Sequence, residues 1–257
     1  MSQSKLSQNT ISLQEVLNAV NNLPEAGGGS VAPTLQDKTV TENGTYTADS
    51  GYDGLGTVTV NVASSGSGGY TLDDFNNSTI EGAVVVTGAK VRSYCFYENR
   101  QITSISAPNA TELQQYAFGY CTSATSVNLP EVVTVANGSL RNLHSLESIV
   151  LPKATTIAGY GMYYMLAATK IDLPVCTSLD AQSLGYCRKL EHLILRSPTI
   201  CTLKNTTCFV STPFASGGTG GFVYVPASLV SSYQTATNWS ALAVTFRAIE
   251  NYPDICG

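Results

Sequence analysis

Two histidines and seven cysteines are the side chains of this 257-residue chain best suited to nucleophilic, acid–base or metal chemistry. A nucleophile needs a base within hydrogen-bond reach, so spacing decides whether that chemistry is available. His144 and His192 fall at different positions of non-adjacent units of a repeat described below, which keeps them out of one site. Asp73 and Asp74 are a carboxylate pair, but chain neighbours point apart and a solvated capping turn is the expected role. The glycines at 217, 218, 220 and 221 precede a strand-like stretch, 222–225 (FVYV), and not a helix, which removes a phosphate-cradling reading. No Gly-x-Ser-x-Gly, His-Glu-x-x-His or phosphate loop occurs. The cysteine number is odd and no Cys-x-x-Cys pair is present, so neither a zinc site nor a disulfide framework is expected; Cys201, Cys208 and Cys256 leave room for one bridge. The expectation is a protein that is not an enzyme, with no catalytic residues, cofactor or metal.

Residues that could bind rather than react are set out by the repeat. Counted from Ala89, the chain repeats every 22 residues through 89–110, 111–132, 133–154, 155–176 and 177–198. Apolar residues fall at unit positions 3, 8, 11, 14, 17 and 19, as in Leu113, Phe118, Cys121, Ala124, Val127 and Leu129, and Asn99 alone breaks the ladder. Such a period means a solenoid whose coils are stable only when stacked and capped. Positions 17 and 19 point one way in an extended segment, so Ile105, Val127, Ile149, Ile171 and Leu193 are expected to line the core side of a parallel sheet. Pro108, Pro130, Pro152 and Pro174 then end the strand, having no backbone donor.

Positions 16 and 18 face away from that core. They present Ser104, Ser126, Asn128, Ser148, Lys170, Asp172 and His192 as a polar candidate binding face, joined by Ser106, Val150 and Ile194. A second ridge lies at positions 6, 9 and 10, where Tyr94, Tyr97, Tyr116, Tyr120, Tyr160, Tyr163, Tyr164 and Tyr186 cluster. Tyrosine offers a flat apolar ring with a polar tip, suited to sugars and protein contacts and equally to packing between coils.

These residues carry a family resemblance. The stretches SYCFYENRQITSISAPNA and QYAFGYCTSATSVNLPEV resemble the BspA-type leucine-rich repeat, an aromatic, a small residue, Phe, two variable residues and Cys before an alternating strand and Pro. The resemblance is close over 89–198 and loosens towards TPFASGGTGGFVYVPASLVSSYQTATNW, which is similar to the closing turn and terminal helix common in that family. It implies a surface protein that binds something.

The fold class expected is therefore an α/β repeat: a short leucine-rich-repeat solenoid of five 22-residue coils plus caps, preceded by a small all-β module and an N-terminal helix. The domain reading places an N-terminal helix for attachment or oligomerisation in 1–26, a linker in 27–34, the β module in 35–62, a second linker in 63–69, the solenoid with its N-cap and closing turn in 70–225, and a helical cap and tail in 226–257. Ser12 and Glu15 form a capping box, Ile11 and Val16 a staple, and Pro24 ends the helix. Leu13, Val16, Leu17, Val20 and Leu23 make one apolar stripe that needs a partner, either its own chain or an assembly. Asn43 and Gly44 suggest a hairpin turn in the β module. In the cap, Leu229, Val230, Tyr233 and Trp239 would cover the last coil.

Charged residues make up only 12% and the net charge is −5, with 13 scattered Lys and Arg, so nucleic acid is not an expected partner. The polar 1–10 segment has no signal-like apolar stretch and no run long enough to span a bilayer occurs, so neither export signal nor membrane insertion is expected. The string DKTVTENGTYTADSGYDGLGTVTVNV is similar to a module of structural proteins of phages infecting Gram-positive gut bacteria, and ISLQEVLNAVNNLPEAGG looks like the same sort of protein. That resemblance implies a virion location and a tail, baseplate or fibre protein, attached to other virion proteins through its N-terminal segment. Its partner would be a host cell-surface protein or glycan, and its state a homo-oligomer, a trimer by analogy with fibres. A capsid-surface head fibre and a bacterial surface adhesin of BspA type are the alternatives.

Overall fold

The chain winds as a succession of short strands and tight corners, each turn hydrogen-bonded to the next. A computed structural model describes residues 80–257 continuously, and ahead of them Phe75 and the strands β1 (Gln36–Val40) and β2 (Leu55–Val60). The expected N-terminal helix with its stripe Leu13 to Leu23, the Asn43–Gly44 turn and the Asp73–Asp74 pair lie outside the described residues.

Each 22-residue unit contributes two strands to two different faces. One set holds unit positions 16 to 18: β5 (Ser104–Ser106), β7 (Ser126–Asn128), β9 (Ser148–Val150), β11 (Lys170–Asp172) and β13 (His192–Ile194). β5 pairs with β7, and β9 with β11 and β11 with β13, in parallel and with like positions in register, as in Ile105 with Val127 and Ile171 with Leu193. The other set holds positions 2 and 3, β4 (Lys90–Val91), β6 (Glu112–Leu113), β8 (Thr134–Val135), β10 (Thr156–Ile157) and β12 (Ser178–Leu179), and with β14 (Thr202–Leu203) beyond the fifth unit it forms one continuous six-stranded sheet. The ladder residues of both sets meet in a single core, in which Val91, Leu113, Val135, Phe96, Phe118, Leu140, Ile105 and Ile171 are fully buried. Each such side chain contributes roughly 1.5–3 kcal/mol of burial that a lone coil could not obtain.

The corners between the two strands are built on left-handed backbone. Positions 6 and 10 have positive φ in every unit: Tyr94 and Glu98, Tyr116 and Tyr120, Gly138 and Asn142, Tyr160 and Tyr164, Gln182 and Tyr186. Two such residues per turn bend the chain sharply enough to return it to the opposite sheet. Amides at these positions donate to the next coil, as where Tyr120 N–H donates to Arg141 O at 2.8 Å, and the carbonyls close the corner itself, as where Tyr116 O accepts from Gly119 N–H at 3.1 Å. Threonines add a second ladder, Thr125 Oγ1 donating to Thr103 O and Thr177 Oγ1 to Thr155 O.

Strands continue past both ends of the five units. β3 (Ala83–Val86) pairs with β5, β2 pairs with β3, and β1 pairs with β2, all in parallel. Parallel pairing needs a connection longer than a hairpin turn, and 14 residues separate β1 from β2. The pairing also places these strands on the solenoid's own sheet, with Val58 buried in its core. Phe75 stacks on Phe96, which stacks on Phe118, at centroid distances of 4.9 and 5.2 Å. Asn99, the break in the ladder, is buried and donates from Nδ2 to Phe75 O at 3.1 Å.

At the other end β15 (Gly221–Val225) joins β13, and β16 (Val244–Ala248) joins β15, so the closing segment carries a strand as well as the helices α1 (Val230–Thr235) and α2 (Pro253–Cys256). Side chains of the cap act as a further coil would. Tyr233 OH accepts from Cys201 N–H at 2.7 Å, Trp239 Nε1 donates to Cys201 O at 2.7 Å, and Asn238 Nδ2 donates to Leu203 O at 2.8 Å. Tyr233 and Trp239 are buried as the sequence leads one to expect, whereas Leu229 and Val230 are only half-buried.

Candidate binding face

The outward positions of the strands divide into an open half and a covered half. Ser126, Asn128, Ser148 and Val150 are exposed, and Ser104 and Ser106 half-exposed. Across β5 and β7 the side chains are linked in rows, Ser126 Oγ to Ser104 Oγ at 2.9 Å and Asn128 Nδ2 to Ser106 Oγ at 3.3 Å. No residue at these positions is charged, so this half offers hydroxyl, amide and small apolar contacts.

Lys170, Asp172 and His192 are not free in the same way. The C-terminal residues fold over β11, β13 and β15, where Ile194, Tyr224 and Cys256 form a second buried cluster with Phe222, Ile249, Tyr252 and Ile255 packed against it. Lys170 Nζ donates to Ile255 O at 2.6 Å, and Arg196 bonds both Asp172 Oδ2, at 2.7 Å, and Cys256 O. Asp172 is only 5% exposed, which removes it from any open surface. His192 Nδ1 lies 3.1 Å from Tyr224 OH, and its ring stacks on Phe222. Burial depresses the His192 pKa, and the nearby Lys170 and Arg247 charges act in the same direction against Glu191. The expectation that positions 16 and 18 form one continuous polar face is therefore corrected to its first three units; beyond them the apolar Ile194, Phe222 and Tyr224 demand a covering layer.

The tyrosine ridge packs coil against coil. Tyr94 stacks on Tyr116 at 5.2 Å, and Tyr97 meets Tyr116 and Tyr120 edge-on. Tyr164 stacks on Tyr186 at 4.9 Å, with Tyr163 against Tyr160 and Tyr186. Between the two groups Arg141 lies over the rings of Tyr120, Tyr160 and Tyr163 at 5.6, 5.6 and 4.8 Å. The third unit makes room for this arrangement with Gly138, at φ +65, where a Cβ would come 2.6 Å from Tyr116 Cε1. Six of the eight tyrosines hold the left-handed backbone of the corners. That conformation costs about 1–2 kcal/mol per residue, and ring contacts worth about 0.5–1.5 kcal/mol each offset it. Burial raises the Tyr97 and Tyr163 hydroxyl pKa values.

The two histidines sit in separate surroundings. His144 Nε2 lies 3.0 Å from Asn142 Nδ2 beside Tyr164, and burial together with the Arg100 charge lowers its pKa. All seven cysteines are buried free thiols, with Cys176 and Cys201 sulphurs 3.9 Å apart; burial pushes the Cys187 thiol up to about 12. Among the described residues no group of three or more His, Cys, Asp or Glu could hold a metal ion, and no helix is long and apolar enough to cross a membrane.

The threonine ladder and the left-handed corners escaped the sequence reading, although Gly138 and Asn142 are residue types that favour such backbone. No curated protein matches the chain. Residues 89–213 match the BspA type leucine-rich repeat region in six copies, so the solenoid carries one copy beyond the five units legible from Ala89.

Proposed function

We propose that this protein is a non-enzymatic recognition protein whose open half-face, from Ser104 to Val150, contacts a cell-surface protein or glycan. The observation that carries the reading is the contrast along one side of the stack. The C-terminal tail covers β11, β13 and β15, while β5, β7 and β9 keep uncharged polar side chains in solvent with no covering element among the described residues. Solenoids with a repeat region of this type suit surface binding, since the rigid stack fixes rows of side chains at regular spacing.

The finer reading is a phage virion component of the tail, baseplate or fibre, joined to other virion proteins through residues 1–26 and oligomeric through Leu13, Val16, Leu17, Val20 and Leu23. It rests on the resemblance of the 35–62 string. A second reading, a bacterial surface adhesin, is favoured by the repeat-region match. Immunogold labelling of purified particles and intact cells, with antibody against residues 70–257, separates them. Label at the tail tip supports the proposal, and label over the head makes the protein a capsid fibre. Label confined to cells overturns the virion reading in favour of the adhesin.

A further inference from the structure

The sheet that bears the open face is broken between the second and third units. β7 pairs with β5 and β9 pairs with β11, yet β7 and β9 end two separate sheets. On the opposite side the same two units are joined, β6 to β8 in register, and their corners are bonded, Phe118 N–H to Ser139 O at 2.9 Å. The break is thus a wedge that opens on one face only.

Bonds made by the neighbouring units identify what is left unpaired. Thr125 N–H donates to Thr103 O and Thr169 N–H to Glu147 O, both at 2.9 Å; among the described residues the equivalent bond from Glu147 N–H to Thr125 O is not made. Ala107 N–H donates to Asn128 O and Leu151 N–H to Asp172 O, both at 3.0 Å; the equivalent from Leu129 N–H to Val150 O is also not made. At the hinge of the wedge a side chain takes over from the main chain. Ser123 and Ala167 donate their N–H to the preceding unit, whereas Ser145 at the same position reaches Thr122 O with its hydroxyl at 2.9 Å. Between the two edges lies a cavity of about 320 Å³, with Val127, Asn128 and Leu129 on one wall and Ser148, Ile149 and Val150 on the other. No ionisable side chain or aromatic ring lines it.

We propose that this slot receives an extended, uncharged peptide segment of the recognised surface protein, its main chain pairing with the edges of β7 and β9. The inference rests on the reading of the open half-face as the recognition surface. Main-chain donors and acceptors at strand spacing are complementary to another main chain, and the walls that flank them take small or apolar side chains at alternate positions. A glycan would ask for ring platforms and side-chain polar groups, and the rings of this molecule lie on the tyrosine ridge instead.

Amide hydrogen exchange on the full chain tests it. In the free protein Leu129 and Glu147 should exchange at least ~10-fold faster than Ala107, Leu151, Thr125 and Thr169, which occupy the same unit positions with their bonds made. The probes are acetylated, amidated hexapeptides in which Thr alternates with Ala, Val, Leu or Phe. At least one should slow Leu129 and Glu147, and Val150→Arg, at a 49%-exposed position, should abolish that slowing with the melting temperature unchanged. Protection of Leu129 and Glu147 in the free protein overturns the proposal, as does failure of every hexapeptide or a response that survives Val150→Arg. Oligosaccharide binding that Val150→Arg removes also overturns it, by giving the slot to a glycan. Adhesion of the purified protein to cells is read separately: adhesion without peptide entry sinks the slot alone, and peptide entry without adhesion sinks the recognition reading alone.

Discussion

Asn128 and Asp172 hold the same unit position, two coils apart on the same side of the stack but in separate sheets, and meet opposite fates. Asn128 stands in solvent and bonds only its neighbour Ser106, whereas Asp172 is buried under the C-terminal tail and held by Arg196. The repeat sets the backbone alike at both positions. What differs is sequence outside the repeat: Tyr252, Ile255 and Cys256 supply a second apolar layer over Ile194 and Tyr224. Face polarity in a solenoid is therefore set coil by coil by what docks on it, and a position that binds a partner in one half serves cohesion in the other.

Removing the cap should produce the largest effect. Trp239 is 1% exposed, packs on Phe209, Tyr233 and Phe246, and donates to Cys201 O. Trp239→Ala should lower unfolding free energy by about 3–5 kcal/mol, measured by denaturant titration, because the last coil then exposes both its apolar end and its backbone edge. Next comes the matched pair at unit position 18. Asp172→Ala should cost about 3 kcal/mol, since it strands Arg196 beneath the tail. Asn128→Ala should stay within about 0.5 kcal/mol. Equal losses at the two positions would erase the division into halves.

A smaller effect sharpens the comparison through pH. His192 lies under the covered half, where burial holds its pKa below the ordinary histidine value, and His144 is lowered as well. The unfolded chain then binds the proton more readily than the folded one, so stability is full above about pH 6.5 and falls as pH drops through the lowered folded values. Melting temperature followed from pH 7 down to 5 should decline, and His192→Gln should flatten part of that decline. Ser126→Ala, at the same unit position in the open half, should leave the slope unchanged.

The core was legible in the sequence because burial repeats with the unit: position 3 from Val91 to Leu179 and position 17 from Ile105 to Leu193 hold apolar residues that the fold buries almost throughout. Val127 is the half-buried exception, and it lines the slot. The sheet at positions 2 and 3 was hidden, since a two-residue strand is too short to show alternation. The parallel pairing of β1 with β2 was not legible, since alternation within a short segment carries nothing about which strand it finally pairs with. The covering of Lys170, Asp172 and His192 was partly legible. Ile194, Phe222 and Tyr224 at outward-facing positions are apolar residues on a side expected to meet water, and that conflict is itself a sign of a second layer. The tyrosines show the limit of residue type alone: the rings suit a ligand and a neighbouring coil equally, and only the contacts of Tyr97 with Tyr116 and Tyr120 show that they pack coil on coil.

The smallest stability effect should accompany the clearest binding effect. Ser126 projects from the middle strand of the open half, linked only to Ser104 Oγ, so its replacement disturbs no buried group. Ser126→Arg should change unfolding free energy by no more than about 0.5 kcal/mol. The same change sets a long charged side chain on an otherwise uncharged surface and should weaken adhesion to cells by at least ~10-fold, the equivalent of about 1.4 kcal/mol. Lys189→Glu, an exposed change outside the strands of both halves, provides the control and should leave adhesion as it was. If Ser126→Arg adheres like the parent while Lys189→Glu does not, recognition belongs to another surface, and the open half is then merely the part of the stack that residues 249–256 leave uncovered.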